Sequence, residues 1–396
     1  MISLTEYQQR RERVLKSLKG AAGIVFAGEG GGSAWKPHTH FVYLTGIRNE
    51  PGAALLFDPT AEDAKRRCVL FLRPVDPEAQ RWEGYRDVIG AALKKQLGFD
   101  SVLRTTYLAQ AITGAARRAK RLACLHPFAV YPAEVSPDLK TYRQVAERVP
   151  GVDIEDRSQL LPQMRAVKSS AELALMRKAV AATVTGYRAA LKIIRPGVTE
   201  SKIEQTLEQT YQAHGATGVP YDSIVGAGLN STILHYSQNT GVAKAGDLVV
   251  IDSAAEVDGY AADVTRTVPV SGKFTKEQRE MYELVLRAQL AAIKAVRPGA
   301  KMCEVDAAAR DVLEKAGHGD AFIHGIGHQL GLEVHDATPD GALKPGMVIT
   351  IEPGVYIPDR KLGIRIEDDV LVTRTGNAVL TAAIRKSVKA VEAALR

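Results

Sequence analysis

Long hydrophobic runs are missing: no window of the 396 residues approaches eighteen consecutive apolar positions, so no membrane-spanning helix is expected. The N-terminus, Met1-Ile2-Ser3-Leu4-Thr5-Glu6, runs straight into Arg10, Arg11, Glu12 and Arg13 without the apolar stretch of a secretory signal. Cysteine is scarce. The three present (Cys68, Cys124, Cys303) stand far apart and in no CxxC pair, which excludes a disulfide-stapled mini-domain and fits reduced thiols in a cytoplasm. Charge of one sign is nowhere concentrated. The 52 Lys and Arg exceed the 45 Asp and Glu to give +7, but no basic run reaches five residues and no aromatics interleave with the basic positions. A nucleic-acid partner is therefore not expected. What remains, 45% hydrophobic and 24% charged residues, is ordinary globular material. Its length exceeds the roughly 250–300 residues at which single cores stop growing, so two domains are expected.

The first segment mixes strand patterns at 22–26, 53–57 and 68–72 with helical spacing at 86–96. Gly28-Glu29-Gly30-Gly31-Gly32 mimics a dinucleotide loop but lacks the full GxGxxG context, and reads as a flexible turn. The polar, turn-rich stretch 150–156 is a boundary candidate, and the domains are placed at 1–160 and 161–396. From Ser169 onward, long amphipathic helices alternate with strand pairs.

That second half repeats itself. Arg195-Pro196-Gly197 precedes a helical stretch, 198–215, with Thr199 as cap; Arg297-Pro298-Gly299 precedes 300–317 with similar periodicity. Each triplet follows a long helix pattern, 171–194 or 277–296. Each unit then reaches an apolar strand ending in an acid, Asp252 or Glu352; the triplets are 102 residues apart and the acids 100. The shared order implies an internal duplication.

Past each acid the chain turns back. Asp258-Gly259 between two strand-like runs signals a hairpin, and Asp252 and Asp263 lie symmetrically about Val257/Asp258, so they are expected to sit opposite one another or nearly so. Glu352 and Glu367 are likewise symmetric about Asp359/Arg360. Opposed residues place their Cβ atoms about 4.5–5.5 Å apart, where two like charges repel. One such pair fits an ordinary solvent-facing position; two matched pairs point to bound cations. Between the hairpins, His324, His328 and His335 fall within twelve residues, among glycines that favour a loop-to-strand placement over a helix. Four carboxylates and an imidazole suit a pair of divalent cations such as Mn²⁺, Co²⁺ or Zn²⁺.

These residues resemble the pita-bread metallopeptidases: Asp252 and Asp263 eleven apart, His328 in GHQLGLEVHD, Glu352 in TIEPGVY and Glu367 in GIRIED. In the first domain, His40-Phe-Val-Tyr-Leu-Thr-Gly46, Asn49-Glu50-Pro51, Arg73-Pro-Val-Asp-Pro-Glu78 and Trp82-Glu-Gly look like the N-terminal domain of the Xaa-Pro peptidases within that family. The resemblance implies an α/β (α+β) fold, with a creatinase/prolidase-like N-terminal domain and a C-terminal pita-bread domain of two duplicated helix–hairpin halves. It implies two metals, preferentially Mn²⁺, with Asp263 and Glu367 bridging, Asp252 completing one ion, and His328 and Glu352 the other. Glu352 would also move a proton to the leaving proline nitrogen. His235 would stabilise the oxyanion, His335 contact the substrate carbonyl and His324 line the pocket; Tyr356, beside the second metal-binding strand, would contact the substrate. Trp82 matches a tryptophan that reaches the active site in some oligomeric relatives. Arg365, two positions before Glu367 on a strand, faces the same side and would pair with the acids.

The activity so implied is hydrolysis of the bond between an N-terminal residue and a following proline, in a cytoplasmic homodimer acting on short proline-containing peptides. The dipeptide-cleaving branch stays open as an alternative. Long forms of both branches carry an insertion with a substrate-contacting arginine where this chain has only the short loop 337–344. A non-catalytic peptide- or protein-binding module of the same fold is the remaining alternative. Such modules typically lose metal ligands, and this chain keeps five.

Overall fold

The computed structural model describes residues 1–30 and 35–395; Gly31 and Gly32 of the glycine-rich turn lie outside the described residues. The fold is mixed α/β, and the chain divides into two compact units, Ile2–Met164 and Arg165–Arg396.

The first unit is built on a six-stranded sheet of β1 (Ala22–Phe26), β2 (Ala54–Phe57), β3 (Cys68–Leu72), β4 (Ser101–Arg104), β5 (Arg121–Cys124) and β6 (Asp153–Asp156), in the order β4-β3-β2-β1-β5-β6. Strands β1, β2 and β3 pair antiparallel and the other neighbours parallel. Alternate residues Ile24, Leu56 and Phe71 turn to one face and are buried with Ile112 and Tyr142. Ile112 and Tyr142 come from the helices Leu108–Ala119 and Pro137–Ala146. The Tyr142 hydroxyl accepts from Ile24 N–H at 2.8 Å and lies 3.1 Å from Ala123 O, closing what would otherwise be a buried polar group. Two local expectations change here. The stretch 150–156 is no linker, because Asp153–Asp156 forms the edge strand β6, whose exposed face explains its polarity. The helical spacing at 86–96 yields helix only at Ala91–Leu97, where Gly98 at φ +68° ends it.

The second unit carries the duplication to atomic detail. Its long helices, Ser170–Leu191 and Lys276–Ala295, both start with capping boxes, Ser169 with Glu172 and Thr275 with Gln278. Their partners are Glu200–Ala213 and Met302–Lys315. Gly197 and Gly299 both sit at positive φ (+92° and +85°), and each donates its N–H across the fold, to Ala243 O at 2.8 Å and Leu343 O at 2.9 Å. Only glycine enters that region without strain, which is why the RPG triplet recurs.

Each half then supplies a three-stranded antiparallel sheet. The first contains β7 (Ile224–Ala227), β8 (Leu248–Asp252) and β11 (Thr265–Pro269), in the order β11-β8-β7. Its turn is the small ladder β9 (Glu256–Val257) with β10 (Tyr260–Ala261). The second contains β12 (Val348–Ile351), β15 (Asp368–Val372) and β16 (Asn377–Val379), with the ladder β13 (Gly354–Ile357) and β14 (Leu362–Arg365) at its turn. The segment after His324 takes the place that β7 holds in the first half: Gln329 bridges Ile349 as Ala227 pairs with Val249. It is extended, as the glycines suggest, and not helical.

Candidate metal centre

Register decides where the acids fall. Through the second hairpin every pair keeps one register: Ile351 opposes Asp368 on one side, and Gly354 opposes Arg365 on the other. Glu352 and Glu367 thus fall opposite one another in the gap between the two ladders. Their amides are drawn outward, Glu352 N–H to Ile326 O at 2.9 Å and Glu367 N–H to Thr265 O at 3.1 Å. In the first hairpin the two acids are nearly, not directly, opposite. Its turn centres between Asp258 and Gly259, with Tyr260 opposite Val257, so Asp252 opposes Thr265 and Asp263 lies diagonally, two residues away. Asp258 at φ +49° is the first residue of the Asp-Gly turn that the sequence signals. The diagonal still brings the two acids to one hydroxyl: Tyr221 Oη lies 2.7 Å from Asp252 Oδ1 and 2.6 Å from Asp263 Oδ1. A phenol has one proton to give, so the second contact needs a proton on a carboxyl or a cation nearby.

The ligand atoms of Asp263, His328 and Glu367 lie within 4.8 Å of one another. His328 Nε2 stands 3.5 Å from Asp263 Oδ2 and 3.4 Å from Glu352 Oε1. Its Nδ1 is 3.0 Å from Gln329 O, so Nδ1 carries a proton and Nε2 is the nitrogen turned to the carboxylates. That donor set, oxygen-rich with one oriented imidazole, fits a divalent cation. The protein's own cation here is Arg365. Its Nη2 donates to Asp252 Oδ2 at 2.7 Å, its Nε to Thr265 Oγ1 at 3.1 Å and its Nη1 to Tyr356 Oη at 2.9 Å. Thr265 Oγ1 in turn donates to Glu367 Oε2 at 2.6 Å. Alternation along β14 thus delivers the expected charge pairing, to Asp252.

One guanidinium does not neutralise four carboxylates, and the titration of the cluster records the shortfall. Burial, then the charges of Asp263, Glu352 and Asp252, push the Glu367 carboxyl well above its ordinary range. Burial also raises Asp263, with Asp252 adding to it. Glu352 rises to about 7; burial is the main cause, and His328 works against it. Burial pulls the His328 imidazole down, but the hydrogen bond and charge of Asp263 and the charge of Glu352 carry it up to about 9. In each case protons occupy places where a cation would neutralise the same charges.

These groups open onto a cavity of about 570 Å³ whose walls include Asp252, Asp263, Glu352, Glu367, Arg365 and all four histidines singled out from the sequence. His335 stacks edge-on against His328, with ring centroids 4.2 Å apart. The loop that carries it is anchored by Asp336, which pairs with buried Arg165 and lies 3.3 Å from Lys168 Nζ. His324 Nδ1 lies 2.9 Å from Gly325 O and its Nε2 2.9 Å from the Tyr356 hydroxyl. Burial lowers its pKa to about 4, leaving a neutral ring at pH 7. His235, exposed, lines the same cavity. Tyr356, expected against the substrate, is buried behind the wall, where it holds Arg365 and His324. Trp82 belongs to the first unit, 86% exposed on the helix Pro77–Glu83, and is not among the residues lining the cavity.

Sequence reasoning missed three participants. Thr265 and Asp369 were within reach of strand alternation, each two residues beyond an acid. Asp369, buried and well above its usual range through burial and the charge of Asp263, accepts the Asp263 N–H at 3.2 Å. Tyr221 had no such signal, because it precedes β7 in an irregular segment.

Against known families, residues 174–374 match metallopeptidase family M24 and residues 7–123 match the aminopeptidase P N-terminal domain. The chain is 35% identical to the Xaa-Pro aminopeptidase of Escherichia coli, over 99% of this chain and 98% of that relative. It is 39% identical to the Xaa-Pro dipeptidase of Pyrococcus furiosus, over 56% of this chain and 65% of that protein. The structure of Pseudomonas aeruginosa aminopeptidase PepP superposes with a TM-score of 0.87 at 32% identity, covering 100% of this chain and 98% of the other. With a matching family model over its duplicated half and a full-length relative at this identity, the chain belongs to metallopeptidase family M24 and carries the aminopeptidase P N-terminal domain ahead of the catalytic fold.

Proposed function

We propose that this protein is a metal-dependent Xaa-Pro aminopeptidase, with residues 1–160 as its N-terminal domain and 161–396 as its catalytic domain. The observation that carries the reading is a full-length likeness to an Xaa-Pro aminopeptidase, joined to a cavity where four carboxylates and an oriented imidazole converge. Asp252, Asp263, His328, Glu352 and Glu367 would hold two divalent ions, Mn²⁺ for preference among Mn²⁺, Co²⁺ and Zn²⁺; the oxygen-rich donor set supports that choice. When bound, such ions polarise the scissile carbonyl and lower the pKa of water toward neutrality.

The chain's own residues do the rest. Glu352, whose carboxylate lines the cavity 3.4 Å from His328 Nε2, is suited to take a proton from the attacking water and deliver it to the proline nitrogen as the bond breaks. As the C–N bond breaks, the departing proline nitrogen must gain a proton to leave as a neutral secondary amine. His235 and His335, on the cavity walls, are suited to donate to the oxygen that gains charge in the tetrahedral intermediate. His324, neutral and held by Tyr356, lines the peptide's path. Arg365 pairs with Asp252 and ties Thr265 and Tyr356 to it. The reading extends to a cytoplasmic homodimer acting on short proline-containing peptides. The solvent-facing Trp82 supports a contact with a neighbouring molecule.

A dipeptidase is the second reading, favoured by 39% identity to an Xaa-Pro dipeptidase over part of the chain; the short loop 337–344 does not separate the two branches. Metal content after purification, followed by release of the N-terminal residue from Xaa-Pro-Xaa and from Xaa-Pro, separates them. Cleavage of the tripeptide alone is expected, cleavage of the dipeptide alone selects the second reading, and neither activity with no bound metal would leave a non-catalytic module.

A further inference from the structure

His235 sits exposed at the cavity wall, so its chain neighbours set its position. The segment that carries it runs from the end of β7, through a tight turn at Gly228–Thr232, to Gly241. It is closed around one side chain, Glu200, the first residue of the helix Glu200–Ala213 and fully buried. Glu200 Oε1 accepts from Ala227 N–H at 2.7 Å and Asn230 Nδ2 at 2.9 Å; Oε2 accepts from the Tyr236 hydroxyl at 2.9 Å and Gly241 N–H at 2.6 Å. A carboxylate offers about four lone-pair sites, and all four are taken by neutral donors, with the N-terminus of its own helix favouring the charge. The fit leaves no space to spare. A Cβ at Gly241 would come within 2.6 Å of the carboxylate.

Every one of those contacts lies in the segment that presents His235, and one is made by the residue beside it. On the other flank, Leu234 O accepts from Arg365 Nη2 at 3.3 Å. His235 is therefore pinned between a group of the charged cluster and a buried carboxylate outside the cavity.

We propose that Glu200 is a positioning residue for His235, acting through the hydroxyl of Tyr236. The inference rests on the reading of His235 as a donor to the developing oxyanion. Glu200→Gln keeps the shape but replaces one acceptor oxygen with an amide that cannot receive a backbone N–H, so the closure opens at Ala227 or Gly241. Tyr236→Phe removes only the hydroxyl, which donates to Glu200 and accepts from Thr240 N–H at 3.2 Å, and serves as the gentler variant. A displacement of about 1 Å at a reacting group can lower turnover on the order of 10²-fold.

The test is a cycle on kcat with the metal-loaded enzyme and an Xaa-Pro-Xaa peptide, using Tyr236→Phe, Glu200→Gln, His235→Ala and the Tyr236→Phe/His235→Ala pair. Tyr236→Phe should lower kcat about 10-fold with KM and metal content unchanged, Glu200→Gln should lower it further, and Tyr236→Phe should add nothing once His235 is alanine. Equal losses from Tyr236→Phe in both backgrounds would mean a general structural role and overturn the proposal. So would full turnover in Tyr236→Phe while His235→Ala is impaired. Wild-type turnover in His235→Ala would instead remove the reading of His235, and this inference with it. Should Glu200→Gln fail to fold, the Tyr236→Phe cycle alone decides.

Discussion

Stripping the metal should reverse the sign of this protein's pH dependence above neutrality. In the metal-free fold the His328 imidazole is raised from its ordinary 6.5 to about 9: burial opposes the charge, but Asp263 and Glu352 overcome it. A folded-state pKa above the unfolded value means that the fold holds a proton the unfolded chain has released. The associated stability is complete below pH 6.5 and is lost as the pH rises through about 9. At ~1.4 kcal/mol per tenfold, that window is worth about 3 kcal/mol, or roughly 6–12 °C in Tm for a unit of this size. The raised carboxyls of Glu367 and Asp369 act in the same direction. Below pH 6.5 the slope is blunted, because His324, lowered to about 4, favours the fold as pH rises while Glu352, raised to about 7, opposes it. The informative range is therefore pH 6.5 to 9.

With metal bound, the ligands are already deprotonated, so stability should hold or rise over the same range. Calorimetric unfolding of chelated and metal-loaded protein at pH 6.5, 7.5 and 8.5 reads both slopes, and His328→Gln should flatten the chelated one. A chelated protein that is equally stable or more stable at pH 8.5, or one whose slope survives in His328→Gln, would refute the reasoning.

Arg365→Lys replaces a guanidinium that contacts Asp252, Thr265 and Tyr356 with a single point charge; kcat/KM should fall about 10²-fold, with the fold intact by circular dichroism. His235→Ala should retain its metal by elemental analysis yet lose about 10²–10³ in kcat, the range for removal of one oxyanion donor. Asp368, held near 2 mainly by Arg266 and then Lys386 against the opposing effect of burial, is paired away from the cavity. Asp368→Asn should destabilise the protein by about 3–5 kcal/mol in denaturant titration without changing metal stoichiometry. Gly327 lies at φ +154°, where a Cβ would approach Thr350 O to 2.1 Å. Gly327→Ala should displace the adjacent His328 and weaken metal affinity, measured by competition with a chelator.

The duplicated half was legible because its signals are strong and local. An RPG triplet demands a left-handed glycine, apolar strands end in acids, and the second hairpin keeps one register from Val348 to Leu371. In the first hairpin the Asp258-Gly259 signal marks the turn correctly, but the acids are symmetric about Val257/Asp258, one residue earlier, so Asp263 falls diagonal to Asp252. Strand β6 hid in a polar stretch because an edge strand of the first unit needs little apolar surface. Tyr221 and Glu200 could not be read at all. Their partners lie 31 and 42 residues away for Tyr221, and between 27 and 41 for Glu200. Tertiary closure brings those partners together, and no periodicity encodes it. The charged cluster shows the same division: strand alternation placed Arg365 beside the acids, but only the fold reveals that Thr265 links it to Glu367.

The central claim is that four carboxylates share this cavity because cations neutralise them. Metal stoichiometry per chain, measured alongside peptide turnover for the wild type, Asp263→Asn and Glu367→Gln, tests it most directly. Two ions per wild-type chain are expected, with metal and turnover lost together in both variants. Full turnover in either variant, or an active wild-type enzyme holding no metal, would contradict it.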